Sequence, residues 1–134
     1  MLKLDHIGIA VKNLALAREV YSTLMNEEPY KKETVPEEKV TTLFFKAGDT
    51  KIELLESLDQ DGPIRKFIEK KGEGIHHIAF EVPDIHEAVR DLKKKGFRFV
   101  DENPKKGADR KLIVFLYPKN THGVLIELCQ SLPE

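Results

Sequence analysis

The chain is written twice, and this repeat limits what it can fold into. Residues 5–11 read Asp-His-Ile-Gly-Ile-Ala-Val and residues 76–82 read His-His-Ile-Ala-Phe-Glu-Val, so His6 matches His77 at an offset of 71. The closing segments Lys51-Ile-Glu-Leu-Leu-Glu56 and Leu125-Ile-Glu-Leu-Cys-Gln130 also match, with Glu53 opposite Glu127 at an offset of 74. Three residues have therefore been gained between the matching positions. A period of this size marks one supersecondary unit used twice. In the first copy Leu14, Ala17, Val20, Tyr21 and Leu24 recur at three- and four-residue spacing, and Ile85, Ala88, Val89 and Leu92 do so in the second. That spacing makes one apolar helical face. Asn13 and Asp84 stand where N-caps are expected, and Gly96 after three lysines is a stop signal.

Strand-like runs follow each helix. They are Val40–Lys46 and Thr50–Glu56 in the first copy, and Phe97–Val100, Lys111–Tyr117 and Val124–Gln130 in the second. The expected fold class is α+β, with two tandem βαβββ modules at approximately 3–57 and 74–130. A linking helix over approximately 62–72 joins them, with Pro63 in its first turn and Gly72 at its end. The whole of 1–134 is read as a single domain, a length that buries a sizeable core without a disulfide or structural metal.

Composition narrows the function classes. Lys plus Arg is 22 and Asp plus Glu is 23, so the basic excess of a general nucleic-acid binder is missing. No apolar run approaches the ~20 residues that span a bilayer, and Met-Leu-Lys-Leu-Asp-His lacks the apolar stretch of a signal peptide. Cys129 is the single cysteine, which fits a reducing compartment. A cytoplasmic protein with a small-molecule partner, and neither nucleic acid nor membrane, is the expectation.

The chemistry sits on the strands. Side chains alternate faces, so Ile7, Ile9 and Val11 pack on a helix while His6, Gly8 and Ala10 share the other face. In the second copy Ile78, Phe80 and Val82 oppose His77, Ala79 and Glu81. Each His is thus followed by a very small residue that leaves room above the sheet. Glu53 and Glu127 lie in apolar closing strands, where an ionised carboxylate is costly unless paired, exposed or metal-bound. If both sheets face one cleft, His6, Glu53, His77 and Glu127 converge. Two imidazoles and two carboxylates suit Co²⁺, Mn²⁺, Ni²⁺ or Zn²⁺ with positions left for water or substrate. A lone His or Glu on a strand is usually structural; the recurrence of the pair favours a metal site. His76 alternates away from His77 and reads as packing or surface, His86 and His122 as solvated, and Cys129 as a small apolar residue. Lys93–Lys95 and Lys105-Lys106 read as wet faces.

These modules, with His and Glu so placed, resemble the vicinal oxygen chelate (glyoxalase) superfamily. Within it, the chain is most similar to the methylmalonyl-CoA epimerase family. The resemblance rests on His6-Ile-Gly-Ile-Ala-Val11, Gly48-Asp-Thr-Lys-Ile-Glu-Leu-Leu55, Asp61-Gly-Pro-Ile-Arg-Lys-Phe67 and Gly72-Glu-Gly-Ile-His-His-Ile-Ala-Phe-Glu-Val82. It continues through Gly107-Ala108, Phe115-Leu-Tyr-Pro-Lys119 and Gly123-Val-Leu-Ile-Glu127. It implies interconversion of the (2R) and (2S) forms of methylmalonyl-CoA, a homodimer, and a divalent metal, often cobalt, on His6, Glu53, His77 and Glu127. Some members carry Gln at the position of Glu53. Two departures stand out: Thr42 matches a position where a family member has a Glu proposed as base, and Tyr117 replaces a common His before Pro-Lys.

On this reading a metal stabilises the enolate formed when the C2 proton leaves. Glu53 and Glu127 are the candidate acid and base, with Glu37 or Glu38 as a fallback for one of them. Lysines and arginines of 105–111, with Lys119, are candidates for the CoA phosphates by charge. The competing readings are a glyoxalase I acting on a glutathione hemithioacetal and a non-catalytic binder of a hydrophobic drug.

Overall fold

The computed structural model describes residues 2–133; Met1 and Glu134, the ends of the 1–134 span expected above, lie outside the described residues. Two compact units divide the chain, one of them His6–His76 and the other made of the residues before it and those from His77 onward. In chain order the elements are β1 (Lys3–Ala10), α1 (Leu14–Met25), β2 (Lys31–Val35), β3 (Val40–Ala47), β4 (Thr50–Ser57) and α2 (Pro63–Lys71). There follow β5 (Gly74–Glu81), α3 (Ile85–Lys94), β6 (Lys105–Lys106), β7 (Lys111–Phe115) and β8 (Ile126–Ser131). Each module is βαβββ, the α+β architecture expected from the repeat. The unit boundaries fall inside β1 and β5.

In the first unit the strand order is β2-β3-β4-β1, with β1 parallel to β4 and the other pairs antiparallel. Val11 and Leu14 pack with Leu43, Phe45 and Leu54, and with the α1 residues Ala17, Tyr21 and Met25. One face of the sheet is therefore closed by the helix, as the alternation required. In the second unit the order is β5-β8-β7-β6, with β5 parallel to β8. There Val82, Ile85, Val89, Val114, Leu116 and Leu128 form the matching core under α3.

The helix ends repeat as well. The Asn13 side chain accepts from the Leu16 N–H at 3.0 Å and that of Asp84 from the Glu87 N–H at 3.1 Å. A second orphan donor at each helix start is satisfied from the closing strand: Leu14 N–H donates to Glu56 and Ile85 N–H to Gln130, both at 2.9 Å. Such caps hold the helix start against the last strand as well as satisfying its N–H groups. Gly96, at φ +95°, ends α3 in a Schellman turn, with Phe97 N–H on the Leu92 carbonyl and Gly96 N–H on that of Lys93.

Three sequence expectations are corrected. Phe97–Val100 is no strand: Phe99 makes an isolated bridge to Leu116, and Phe97 and Phe99 pack into the core under α3. The edge strand is instead Lys105–Lys106. The closing strand begins at Ile126 because the turn that starts at Pro118 runs on to a Val124 N–H bond with the Thr121 carbonyl. Strand β2 was not foreseen, since Lys-Lys-Glu-Thr-Val offers only one apolar residue to an alternation test.

Lys111 is buried against the expectation for a lysine. It is 5% exposed, with its Nζ 3.4 Å from Asp5, 3.6 Å from Glu81 and 3.0 Å from the Ser131 hydroxyl. It is thereby withdrawn from the cations suggested for the CoA phosphates. Burial pushes the ammonium down, but the carboxylate charges of Asp5 and Glu81, with the hydrogen bond to Asp5, outweigh it and hold the group above its usual 10.5. The stability it gives is therefore full below pH 10.5 and is lost as pH rises through the folded-state value. Lys111→Met leaves the buried Asp5 carboxylate without this cation and should cost about 3–5 kcal/mol in urea unfolding. A loss below about 1 kcal/mol would show that Asp5 is satisfied without it.

Candidate functional site

Each unit by itself brings a buried imidazole to a buried carboxylate. In the first, β1 and β4 run parallel with Gly8 beside Glu53, and Glu53 faces Phe44 across β3. His6 stands two residues before Gly8 on the same face, and its Nδ1 lies 3.2 Å from Glu53 Oε2. In the second, Ala79 is beside Glu127, which faces Phe115 across β7. His77 stands two residues before Ala79, and its Nε2 lies 3.4 Å from Glu127 Oε1. Its ring also packs edge-on against Phe115, with centroids 5.9 Å apart.

The local plan is the same in both: a carboxylate flanked by a residue too small to cover it and a phenyl ring that walls it. All four residues are between 4% and 6% exposed. Each pair offers an imidazole nitrogen and a carboxylate oxygen shielded from water, which is donor chemistry for a borderline divalent cation. The structure thus brings together His6 with Glu53, and His77 with Glu127, whereas the sequence expectation is of all four converging on one cleft.

The other singled-out residues fall elsewhere. The His76 ring meets Phe67 edge-on at 5.0 Å, and burial, helped by the Lys71 charge, lowers its pKa to about 4. It is a packing residue held neutral. His86 and His122 are exposed, as are Lys93–Lys95, Lys105, Lys106 and Lys119. Glu37 is exposed in the short 3-10 turn Pro36–Glu38. Thr42 is fully buried on β3, on the face that carries Glu53. Tyr117 has the Arg98 guanidinium 5.3 Å over its ring. Missed by sequence reasoning was Glu33, which faces Thr42 across the unforeseen β2. Its only signal was the strand itself.

Against this geometry, comparison with known proteins is direct. The chain belongs to the Glyoxalase/Bleomycin resistance protein/Dioxygenase superfamily, which it matches over residues 5–115. Among its relatives, the uncharacterized protein YqjC of Bacillus subtilis is 44% identical over 97% of this chain and 93% of its own. The mitochondrial methylmalonyl-CoA epimerase of Homo sapiens is 42% identical over 96% of this chain and 74% of its own. Among solved structures, a variant of Streptomyces coelicolor methylmalonyl-CoA epimerase in complex with 2-nitronate-propionyl-CoA superposes with a TM-score of 0.88. It is 35% identical, over 96% of this chain and 94% of that one. The chain is thus similar along nearly its whole length to epimerases of this superfamily. Among the described residues no helix is long and apolar enough to cross a membrane.

Cys129 is fully buried on β8 beside Ala79 and Ile113. Burial, then the charges of Asp5 and Glu127, push its thiol well above the ordinary value. The thiolate, which is the nucleophile, is thereby suppressed. Iodoacetamide at pH 8 should leave Cys129 unmodified in the folded protein and alkylate it after denaturation. Complete labelling of the folded chain within minutes would contradict this burial.

Proposed function

We propose that the protein is a divalent-metal-dependent methylmalonyl-CoA epimerase, with His6, Glu53, His77 and Glu127 as the metal ligands. The observation that carries the reading is the buried His–Glu pair present in each module in the same local setting. A lone buried pair is an unremarkable structural device; two at repeat-equivalent positions, in a chain similar to epimerases, suit a shared function. The donor set of two imidazoles and two carboxylates accommodates cobalt, with manganese, nickel and zinc as alternatives. On this reading the two modules work as one domain and the partner is an acyl-CoA. A homodimer and a cytoplasmic location belong to the same proposal.

The reaction needs a proton removed from C2, between a thioester and a carboxylate, and one returned on the other face. A divalent cation, when bound, supplies the positive charge that stabilises the developing enolate. The protein's own residues orient the malonyl group and carry the protons. Gly8 and Ala79 stand beside the carboxylates with no bulk of their own, and Phe44 and Phe115 flank them on the other side. Glu53 and Glu127 stand one in each module, so each is assigned to one face of C2 as acid or base. A positioned carboxylate in that role contributes roughly 10²–10⁴-fold.

The test is exchange of the C2 proton of methylmalonyl-CoA into deuterated water, followed by NMR with chelated and cobalt-reconstituted protein. Exchange is expected with metal and not without it. Glu127→Gln should abolish exchange and lower metal content. Lack of exchange in protein with metal demonstrably bound would reject the epimerase, and a glutathione hemithioacetal would then be the substrate to try. Wild-type turnover by Glu127→Gln would remove Glu127 from the mechanism.

A further inference from the structure

Resting on the epimerase reading, we infer that Glu33 is the base that takes the C2 proton on the side of the first module. Glu53, like Glu127, is given both ligation and proton transfer, and a carboxylate that ligates a cation must let go of it to accept a proton; in the first module Glu33 relieves Glu53 of the second role. A second carboxylate on the same face of the sheet removes the conflict, and β2 supplies one. Glu33 faces Thr42, which faces Leu55, two residues along β4 from Glu53. Directly opposed residues of an antiparallel pair point to one face, so Glu33 shares the face of Glu53, Thr42 and Phe44. Two strand spacings separate β2 from β4, about 10 Å. That gap is on the scale of a malonyl thioester lying between the two side chains.

The surroundings are those of a working group. The Glu33 side chain is 30% exposed, reachable yet not loose, and Lys31 Nζ holds it at 3.3 Å. Lys31 in turn lies over the Phe44 ring, with its Nζ 5.7 Å from the centroid, which confirms the inward face for this pair of residues. Glu37, by contrast, is exposed in the turn beyond β2.

The repeat sharpens the assignment. In the second module the residue at the equivalent register, opposite Ile113 on the edge strand, is Lys105. Opposite charges therefore occupy the same place in the two modules, whereas the His–Glu pairs are alike. In the step itself the C2–H bond breaks, the proton passes to a Glu33 carboxylate oxygen and the electron pair enters the thioester carbonyl as an enolate. The reverse transfer restores the same epimer, and inversion uses an acid on the other face, the role that the epimerase reading assigns to Glu127.

The experiment follows C2–H exchange into deuterated water separately from the (2R) and (2S) substrates, using Glu33→Gln loaded with cobalt. Its metal content and melting temperature should match the wild type. Exchange from one epimer should fall at least 100-fold while the other stays within a few-fold, and Glu33→Asp should restore part of the loss. Unchanged exchange from both epimers, or equal loss from both, would overturn the role of Glu33. Lack of exchange by the wild type itself would instead reject the epimerase reading, so the two failures are distinct.

Discussion

The register of the closing strand against the opening one fixes everything that matters in each module. Val11 N–H bonds to the Leu55 carbonyl and Val82 N–H to that of Cys129, both at 2.9 Å, at the ends of the two parallel ladders. The same strands reach past the ladder to cap the helices, through Glu56 on Leu14 and Gln130 on Ile85. A slip of one residue would break the bond and the cap together. It would also turn Glu53 and Glu127 onto the helix-packed face, because side chains alternate with period two. The carboxylates are thus placed beside Gly8 and Ala79 by backbone geometry, and the His–Glu contacts follow from it.

That logic explains why so much was readable from the chain. The repeat announced two βαβββ modules, the alternation assigned His6 and His77 to the face away from the helices, and the matching positions of Glu53 and Glu127 in apolar strands singled those carboxylates out before any coordinates. The caps at Asn13 and Asp84 and the stop at Gly96 were likewise local signals with local causes. What escaped reading lacked such a signal. Strand β2 has too little apolar alternation to be distinguished from a polar loop, and Glu33 was hidden with it. Phe97–Val100 has the composition of a strand, yet its two phenyl rings serve the core under α3 without a ladder. Lys111 looked like one more surface cation, because its partners Asp5 and Glu81 are 106 and 30 residues away in sequence.

The two modules are alike where ligation is proposed and unlike around it. Thr42 and Ile113 hold equivalent registers, and beyond them stand Glu33 and Lys105. A duplicated unit whose only function was structural would have no need of opposite charges there. An epimerase, which treats two faces of one carbon differently from moment to moment, has a use for unlike neighbours around like ligands. Thr42, where the family resemblance led one to look for a carboxylate, is itself too buried and too weakly acidic to serve, and its cross-strand neighbour carries the charge instead.

The central claim is that the two His–Glu pairs serve one cation. Cobalt titration with metal analysis of the wild type and of the single variants His6→Ala and His77→Ala tests it most directly. The account predicts one cobalt per chain in the wild type and a large loss of affinity in either variant, since each removes a ligand of the same ion. Two ions per chain, or a variant that loses one ion and keeps the other, would show two independent pairs and contradict it.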